Sequence, residues 1–281
     1  MTKKKKKEKR NFKSILIYLL LIISLIALYS HYVEPYNLII KEYKIENKLI
    51  PKSFDGIKIV HFSDIHYGTI VDINYLKKIV KLINKQKPDI VIFTGDFLDE
   101  RIKLNKKDIE KIKETLSEIN SKLGNYAVNG NHDIQDYEDF KNIMDGNFYI
   151  LDNNEKLIYF NSNIPISITG FSDSRKTKVD YNILDNNTEY FKIILVHEPD
   201  DFIKIEKYNF NILLSGHSHN GQIRIPLIGP VFTPKGSKTY YDEYYKIENK
   251  EIFISNGIGT SGLDFRFNSK PSINLYRLYA Q

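Results

Sequence analysis

The chain contains no cysteine, and this absence excludes both disulfide bonds and metal sites built on thiolate ligands. It also contains no tryptophan and only two methionines among 281 residues. Outside its first residues the chain lacks an excess of positive charge. The formal charge is +6, but positions 1–13 carry eight Lys or Arg and one Glu, so the remaining residues sum to −1. A nearly neutral domain does not favour binding to nucleic acid, which needs concentrated Lys and Arg.

A long uncharged run follows the basic positions. Residues 14–33 contain no Asp, Glu, Lys or Arg and are mostly Leu, Ile and Tyr. At about 1.5 Å per residue, a helix of this length spans roughly 30 Å, the thickness of a bilayer's hydrocarbon core. Because the basic residues lie on one side only, we expect a cytoplasmic tail at 1–13, a transmembrane helix at 14–33 and an extracytoplasmic catalytic domain at the cell membrane. A cleaved signal peptide is the alternative, but its apolar core is usually shorter, about 7–15 residues.

Beyond the membrane segment, short apolar runs alternate with helical patterns. We expect a linker at 34–55 with an edge strand at 38–45, followed by one domain at 56–281. Amphipathic helices are predicted near 76–83, 109–119 and 137–145. Buried strands are predicted at 57–62, 90–93, 126–128, 164–169, 193–196, 212–214, 252–255 and 273–278. This order predicts an α/β fold in which two mixed sheets pack together and are flanked by helices.

Five polar clusters, several directly after apolar runs, hold five of the seven histidines. In chain order they are Asp64-Ile65-His66, Gly95-Asp96-Phe97-Leu98-Asp99, Gly130-Asn131-His132-Asp133, Val196-His197-Glu198-Pro199 and Gly216-His217-Ser218-His219-Asn220-Gly221-Gln222. In α/β proteins the ends of buried strands carry the functional side chains. Imidazole, carboxylate and amide groups are all metal ligands, so the clusters predict a site with oxygen and nitrogen ligands for metal.

Some of these residues also have an ordinary interpretation when taken alone. Asp64 and His66 would share a face of an extended backbone and bind one ion, although Asp-x-His after a strand is commonly a turn. The carboxylate of Asp96 has two oxygens that can bridge two cations, or it can cap a helix. His197 ends a strand, where a lone histidine is usually only hydrogen-bonded.

The two remaining clusters are more specific. Asn131 offers a neutral oxygen ligand and His132 a proton donor, while Asp133 can hold the other nitrogen of the imidazole. A solvated turn would also use Gly, Asn and Asp. His217 and His219 lie two positions apart and can address two neighbouring metals, and a chance pair on a surface loop is the alternative.

Taken together, the order of the motifs resembles the calcineurin-like metallophosphoesterase family. The family pattern is D-x-H, G-D-x-x-D, G-N-H-[DE], a lone H and G-H-x-H, and the resemblance extends over about 57–280. The run from Gly216 to Gln222, followed by Ile223-Arg224-Ile225-Pro226, looks like a bacterial membrane-anchored branch. Asp133 stands where Glu is commoner, and Asn220 where Gly is frequent. The resemblance implies a four-layer αββα fold.

The resemblance also implies a site with two divalent metal ions and a reaction. One ion would be held by Asp64, His66, Asp96 and His219, and the second by Asp96, Asn131, His197 and His217. Ligation by oxygen and nitrogen without sulfur suits Mn, Fe or Zn. The implied reaction is hydrolysis of a phosphoester by in-line attack of a metal-bridging hydroxide, with His132 protonating the leaving oxygen and Asp133 steadying His132. Arg266 would contact a substrate phosphate or form a surface ion pair.

Other functions remain open at this point. A pyrophosphatase acting on a UDP-2,3-diacylglucosamine-type lipid would fit a membrane anchor, but nucleotide-activated precursors are cytoplasmic and the predicted domain is not. A nuclease is disfavoured by the neutral domain, so no nucleic-acid partner is expected. A binding module without catalysis would be expected to lose ligands, yet the candidate positions are filled. The expected partners are a phosphoester, with anchoring favouring a lipid-linked one, and the lipid bilayer.

Overall fold

The computed structural model of the protein describes residues 3–185 and 188–281. Its first element is the helix α1, Lys3–Tyr32, which is about 45 Å long at 1.5 Å per residue. Of the described residues, one helical stretch, Phe12–Tyr36, is long and apolar enough to cross a membrane, with a hydropathy of 2.3. Most of its side chains are exposed, and the expected span 14–33 lies inside it. Met1 and Thr2 of the expected tail lie outside the described residues.

Strands and helices then alternate in the first half, and strands dominate the second. The helices after α1 are α2 (Ile73–Lys85), α3 (Lys106–Ser117), α4 (Tyr137–Met144) and α5 (Phe202–Ile205). The strands are β1 (Ile39–Asn47), β2 (Lys58–Phe62), β3 (Ile90–Thr94), β4 (Asn125–Val128), β5 (Tyr149–Ile150), β6 (Asn154–Ile158), β7 (Ile166–Gly170), β8 (Phe191–Leu195), β9 (Ile212–Ser215), β10 (Arg224–Ile225), β11 (Gly229–Pro230), β12 (Tyr244–Ile247), β13 (Lys250–Ile254) and β14 (Ser272–Ala280).

The strands form two six-stranded mixed sheets and one small hairpin. The first sheet has the order β1-β14-β2-β3-β4-β5, the second β12-β13-β9-β8-β7-β6, and β10 pairs with β11. In the first sheet β2, β3 and β4 are parallel, with Phe62 beside Phe93 and Thr94 beside Val128. In the second, β7, β8 and β9 are parallel. The carboxyl ends of parallel strands therefore meet along one edge of each sheet.

The alternation of side chains along each strand divides the core into layers. Ile59 points between the two sheets, whereas Val60 packs on the opposite face of the first sheet against α2, α3 and α4. On the outer face of the second sheet, Ile194 packs with Phe202 of α5. The predicted four-layer arrangement is confirmed, and its fourth layer is thin because α5 is a single turn.

Helix α2 illustrates how the local sequence sets these layers. The side chain of Asp72 accepts a hydrogen bond from the N–H of Tyr75 at 2.8 Å and caps the helix. Leu76, Ile79 and Ile83 recur at helical spacing and are fully buried against the sheet. The predicted helices are all present. The eight predicted strands are also present, together with the edge strand, whereas β5, β6 and β10–β12 were not predicted.

Candidate metal centre

All five polar clusters lie in loops that follow the parallel strands. Asp64 and His66 follow β2, Asp96 follows β3, and residues 131–133 follow β4. In the second sheet, His197 follows β8, and 217–219 follow β9. Since the carboxyl ends of these strands share an edge, residues far apart in the chain come into contact there.

The first group of converging side chains consists of Asp64, His66 and His219, all buried. The Nε2 atoms of His66 and His219 are 3.2 Å apart. The same Nε2 of His219 lies 3.4 Å from Oδ1 of Asp64. One carboxylate oxygen and two imidazole nitrogens thus face a common point.

The second group consists of Asp96, His197 and His217, which are also buried. Oδ2 of Asp96 lies 3.0 Å from Nε2 of His197, and that nitrogen lies 3.2 Å from Nδ1 of His217. The same Oδ2 lies 3.8 Å from Nε2 of His66 in the first group. Asp96 therefore stands between the two groups, where a bridging carboxylate would be.

Backbone carbonyls orient the imidazoles of the second group. Nδ1 of His197 lies 2.7 Å from the carbonyl oxygen of Thr94, and Nε2 of His217 lies 2.9 Å from that of Lys235. A carbonyl only accepts hydrogen bonds, so these nitrogens carry the hydrogen. When these imidazoles are neutral, the nitrogens that face the centre therefore have free lone pairs, as metal ligation requires.

A carboxylate supports His66 in the same way. Oδ2 of Asp99 lies 3.4 Å from Nδ1 of His66. Arg101 fixes that carboxylate with two hydrogen bonds, from Nε to Oδ1 at 2.7 Å and from Nη2 to Oδ2 at 2.9 Å. Burial raises the pKa of the Asp99 carboxyl, but the nearby imidazole of His66 and the hydrogen bonds from Arg101 outweigh burial and hold it well below its usual range. Asp99 is thus a carboxylate that lies beside a ligand, and it also accepts a hydrogen bond from the backbone N–H of Arg101 at 3.0 Å.

The donor set fits a bound cation. In each group two imidazole nitrogens face one another at 3.2 Å. The side-chain oxygen of Asn131 is buried and has no hydrogen-bond partner among the described residues. Buried acceptors that face each other without a hydrogen or a cation between them are costly, and a divalent ion removes that cost. The nitrogen and oxygen ligands suit Mn, Fe or Zn.

The electrostatics of the site favour the metal-binding form of some ligands and the protonated form of others. Burial lowers the pKa of both His217 and His219 well below the usual value, so both imidazoles are neutral near pH 7. Burial favours the protonated form of Asp96, but the charges of His197 and His132 outweigh it and hold the pKa of this carboxyl well below its usual range. Neutral imidazoles and ionised carboxylates are the forms that bind metal. Burial opposes the charged forms of His66 and His197, but neighbouring carboxylates outweigh burial and raise the pKa of both. Burial raises the pKa of Asp64, so a bound cation displaces protons from these three ligands.

Five of the seven candidate ligand positions share an uncommon backbone conformation. Asp64, His66, Asp96, His217 and His219 all have φ between 44° and 65°. Non-glycine residues in this left-handed region each cost about 1–3 kcal/mol and cluster at functional sites. The expectation that Asp64 and His66 lie on one face of an extended backbone was therefore wrong, because the backbone is not extended there. The two side chains converge because the chain coils after β2.

Two glycines allow the loops to approach closely. A Cβ at Gly130 would lie 2.2 Å from Oδ1 of Asp96, so a larger residue would displace that carboxylate. A Cβ at Gly95 would lie 2.6 Å from the N atom of Gly130 and 2.7 Å from Nδ1 of His197. The loops after β3 and β4 can therefore meet only with glycine at both positions.

The predicted contact between Asp133 and His132 is wrong. Asp133 is buried and accepts four backbone hydrogen bonds of 2.8–3.0 Å, from the N–H groups of 96, 97, 98 and 130. Burial and the charge of Asp96 raise the pKa of Asp133 to about 7, while the N–H donors act in the opposite direction. Asp133 turns under the loop after β3 because four N–H groups converge there, and it supports the loop that carries Asp96.

His132 instead lies at the mouth of the site. Its Nε2 is 3.9 Å from Oδ2 of Asp96, and its Nδ1 is 4.0 Å from Oε2 of Glu100. The side chain is 15% exposed, more than those of the other clustered histidines. Burial lowers the pKa of His132, although the charge of Asp96 opposes the shift.

Both predicted roles of Arg266 are wrong as well. Its side chain is completely buried and donates hydrogen bonds to the carbonyl oxygens of Gly259, Asn256 and Ser269. Nη2 lies 3.2 Å from Nδ1 of His219. Burial lowers the pKa of Arg266 to about 10. The carbonyls of the loop after β13 wrap the guanidinium, so Arg266 supports a ligand from behind rather than facing substrate.

A cavity of about 430 Å³ opens onto the two groups. Asp96, Asn131, His132, His217 and His219 line its inner part. Its walls include Ile223, Val231, Phe232, Leu263 and Arg175. Larger hollows, of about 670 and 480 Å³, contain none of the clustered ligands.

Sequence reasoning missed Arg175. It lies in the polar loop after β7, pairs with Glu198 and donates a hydrogen bond to the carbonyl oxygen of Lys235 at 2.8 Å. The sequence did contain a signal for Arg175. The strand β7 was predicted, and a polar loop follows it, just as polar loops follow the other central strands. Arg175 brings a positively charged side chain to the wall of the cavity.

Comparisons with known proteins agree with this geometry. The family model for calcineurin-like phosphoesterases matches residues 57–221, which include all seven predicted ligands. The chain is 34% identical over 255 residues to an uncharacterized metallophosphoesterase of Bacillus subtilis, YkuE, covering 89% of this chain and 88% of that protein. The chain belongs to the calcineurin-like phosphoesterase family. Proteins of this family are metal-dependent hydrolases of phosphoester bonds.

Two more distant members of the family are informative. The phosphodiesterase YaeI of Escherichia coli is 23% identical over 89% of this chain and 92% of its own. A Danio rerio transmembrane protein with a metallophosphoesterase domain is 25% identical over 90% of this chain and 60% of its own. Among its described residues, the calcineurin-like phosphoesterase described here has one helix, near the N-terminus, that is apolar and long enough to span a membrane.

Proposed function

We propose that this protein is a membrane-anchored phosphoesterase that works with two divalent cations. The observation that carries the proposal is that two ligand groups share Asp96, whose Oδ2 lies 3.0 Å from His197 and 3.8 Å from His66. Asp64, His66 and His219 would hold one ion with Asp96, and Asn131, His197 and His217 the other. Bound as a pair, such cations supply Lewis acidity, which activates water and offsets charge on phosphoryl oxygens.

The chain's own residues supply the rest of the chemistry. Asp99 and the carbonyls of Thr94 and Lys235 keep the ligand nitrogens aimed at the centre, so little reorganisation accompanies the reaction. His132 lines the cavity and would give its proton to the leaving oxygen. The pKa of His132 is low in the free protein because of burial, and the negative charge of a bound phosphoester would raise it.

The role of His132 is tested by leaving-group dependence. His132→Ala should lower kcat by about 10²–10⁴-fold for an alkyl phosphoester, whose leaving group needs a proton, and much less for a nitrophenyl ester. Equal losses with both leaving groups would contradict the acid role. Asp96→Asn should abolish activity with either ester, and near-normal turnover of this variant when folded and metal-replete would contradict bridging.

The substrate is best sought with phosphodiesters first, because a relative is named a phosphodiesterase. The full chain in detergent with Mn would be screened against phosphodiesters, phosphomonoesters and lipid phosphates, and elemental analysis would count the bound ions. Fewer than two ions per chain at saturation would contradict a paired site.

We further propose that the N-terminus is cytoplasmic and the domain extracytoplasmic, because Lys and Arg are concentrated before the span. Protease added to intact spheroplasts should digest the domain while a cytoplasmic marker survives. Protection of the domain would reverse the orientation.

A further inference from the structure

The segment after the second histidine pair exposes apolar side chains to an unusual degree. We call residues 223–232, which include β10 and β11, the apolar hairpin. Outside 12–36, the described residues include eleven exposed large hydrophobic side chains, and six belong to the hairpin or to Leu263 beside it. Leu227 at the tip is fully exposed, and Ile228 and Phe232 are 77% and 69% exposed. Clusters of this kind mark contact with a membrane or another protein.

The hairpin is firmly held, so the exposure is not that of a loose loop. The side chain of Gln222 at its base donates hydrogen bonds to the carbonyl oxygens of Ser261 and Leu263 and accepts one from the N–H of Ser261. The N–H of Arg224 donates to the carbonyl oxygen of Phe267 at 2.8 Å. The hairpin is thereby fixed to the segment 261–267.

The same segment is fixed to the end of the membrane helix. The N–H of Arg266 donates to the carbonyl oxygen of Ser30 at 2.8 Å. Nδ1 of His31 lies 2.7 Å from the carbonyl oxygen of Asp264. The N–H of Ser269 donates to the buried carboxylate of Glu34 at 2.6 Å. The exit of α1 and the base of the hairpin therefore form one connected structure.

The apolar hairpin also lies near the end of the apolar segment of α1. Pro226 of the hairpin and Tyr29 of α1 line the same cavity of about 480 Å³. Tyr29 precedes Val33, the end of the uncharged run, by four residues, which is about 6 Å of helix. Pro226, the neighbour of the tip residue Leu227, is thus near the last turn of the apolar segment, at the height where a bilayer that holds α1 would end.

We propose that the apolar hairpin and Leu263 contact the bilayer that holds α1, so that the metal site opens at the membrane surface. Val231, Phe232 and Leu263 belong both to this exposed surface and to the wall of the 430 Å³ cavity. An apolar wall that continues from the membrane to the ligands suits a phosphoester carried on a lipid chain. Lys235 and Lys238 flank the hairpin and suit anionic headgroups. The lipid-borne substrate rests on the proposed function, but the membrane contact does not.

The absence of tryptophan makes the contact directly measurable. Leu227→Trp creates a single tryptophan in the full chain, which is reconstituted in phosphatidylcholine–phosphatidylglycerol vesicles with brominated acyl chains. We expect the bromines to quench this tryptophan. The matched control is Tyr159→Trp: Tyr159 is 54% exposed and follows β6, whose last residue pairs with the first of β7, at the edge opposite the metal site. It should not be quenched.

Quenching that is equally weak at both positions would overturn the membrane contact. A second copy of the chain is the competing occupant, and the absence of cysteine allows it to be tested with Leu227→Cys. Efficient disulfide cross-linking between chains through this residue, with no lipid quenching of the tryptophan variant, would assign the hairpin to a dimer instead.

A second measurement tests the substrate. The double variant Leu227→Ser with Ile228→Ser should keep wild-type turnover of a soluble nitrophenyl phosphoester and lose roughly tenfold or more in kcat/KM on a lipid phosphoester in vesicles. Equal turnover by wild type and variant on both substrates would overturn lipid access through the hairpin. If the wild type hydrolyses neither substrate, the proposed function fails, and the quenching result still decides the membrane contact.

Discussion

Replacing Gly130 with alanine should displace the loop that carries Asp96 and thereby damage the metal centre. The backbone of Gly130 does not have a positive φ, so alanine introduces no conformational strain there. Its Cβ would lie 2.2 Å from Oδ1 of Asp96, whereas tight Cβ contacts are 3.0–3.4 Å. The carboxylate of Asp96 must therefore move by about 1 Å, a displacement large enough to cost about 10²-fold in activity.

The size of the effect follows from the short reach of a metal–oxygen bond. Carboxylate oxygens bind zinc at about 2.0–2.2 Å, so a shift of about 1 Å breaks the bond rather than stretching it. Because Asp96 stands between the two ligand groups, both ions would lose a ligand. We expect metal affinity to fall by at least about 10–100-fold and kcat by about 10²-fold or more.

Gly170→Ala is the matched control. Gly170 also lacks a positive φ, and its Cβ would lie 2.4 Å from Cβ of Leu151, away from the ligands. This variant should lose about 1–3 kcal/mol of unfolding free energy through overpacking and keep its metal affinity. Bound metal would be measured by elemental analysis, turnover at saturating Mn, and stability by urea unfolding. A folded Gly130→Ala protein with wild-type metal affinity and turnover would refute the proposed position of Asp96.

Three further variants test neighbouring parts of the structure. Asp99→Asn removes the carboxylate beside His66 and should weaken metal binding about 10–100-fold in a chelator competition. In Asp133→Asn, the amide NH2 group replaces an oxygen that accepts two backbone N–H groups, so the free energy of unfolding should fall by about 2–6 kcal/mol at pH 8. The control Asp136→Asn, at an exposed position, should change it by less than about 0.5 kcal/mol. Burial lowers the pKa of His61 to about 3, so the unfolded chain binds the extra proton between pH 6.5 and 3, and stability is lost as pH falls through that window. Urea unfolding should show about 2 kcal/mol less stability at pH 5 than at pH 7 from this group, a difference that His61→Gln removes.

Much of the site was predictable from sequence because the five clusters follow buried parallel strands. Apolar runs such as 90–93 are too short for helices and too apolar for surface strands, so their carboxyl ends had to meet at an edge. The residues that follow, Asp96 among them, are then near one another whatever the loops do. This argument needs only the order of elements and the chemistry of the side chains.

The parts that failed depend on loop geometry. Asp133 contacts backbone N–H groups of 96–98 because the loop after β3 turns its amides inward, and no side-chain pattern encodes that direction. The strands β6 and β12 escaped notice because they are edge strands with alternating exposed and half-buried residues. Their pairing with β7 and β13, rather than their own composition, makes them strands.

Arg266 connects the N-terminal helix α1 to the metal centre. Its backbone N–H is held by the carbonyl oxygen of Ser30 in α1, and its guanidinium packs against the imidazole of His219. A single residue therefore joins α1 to a candidate metal ligand. Truncation of the chain after the span would remove the acceptor at Ser30 and loosen the support behind His219. The position of α1 and the geometry of the ligand set thus depend on the same few contacts.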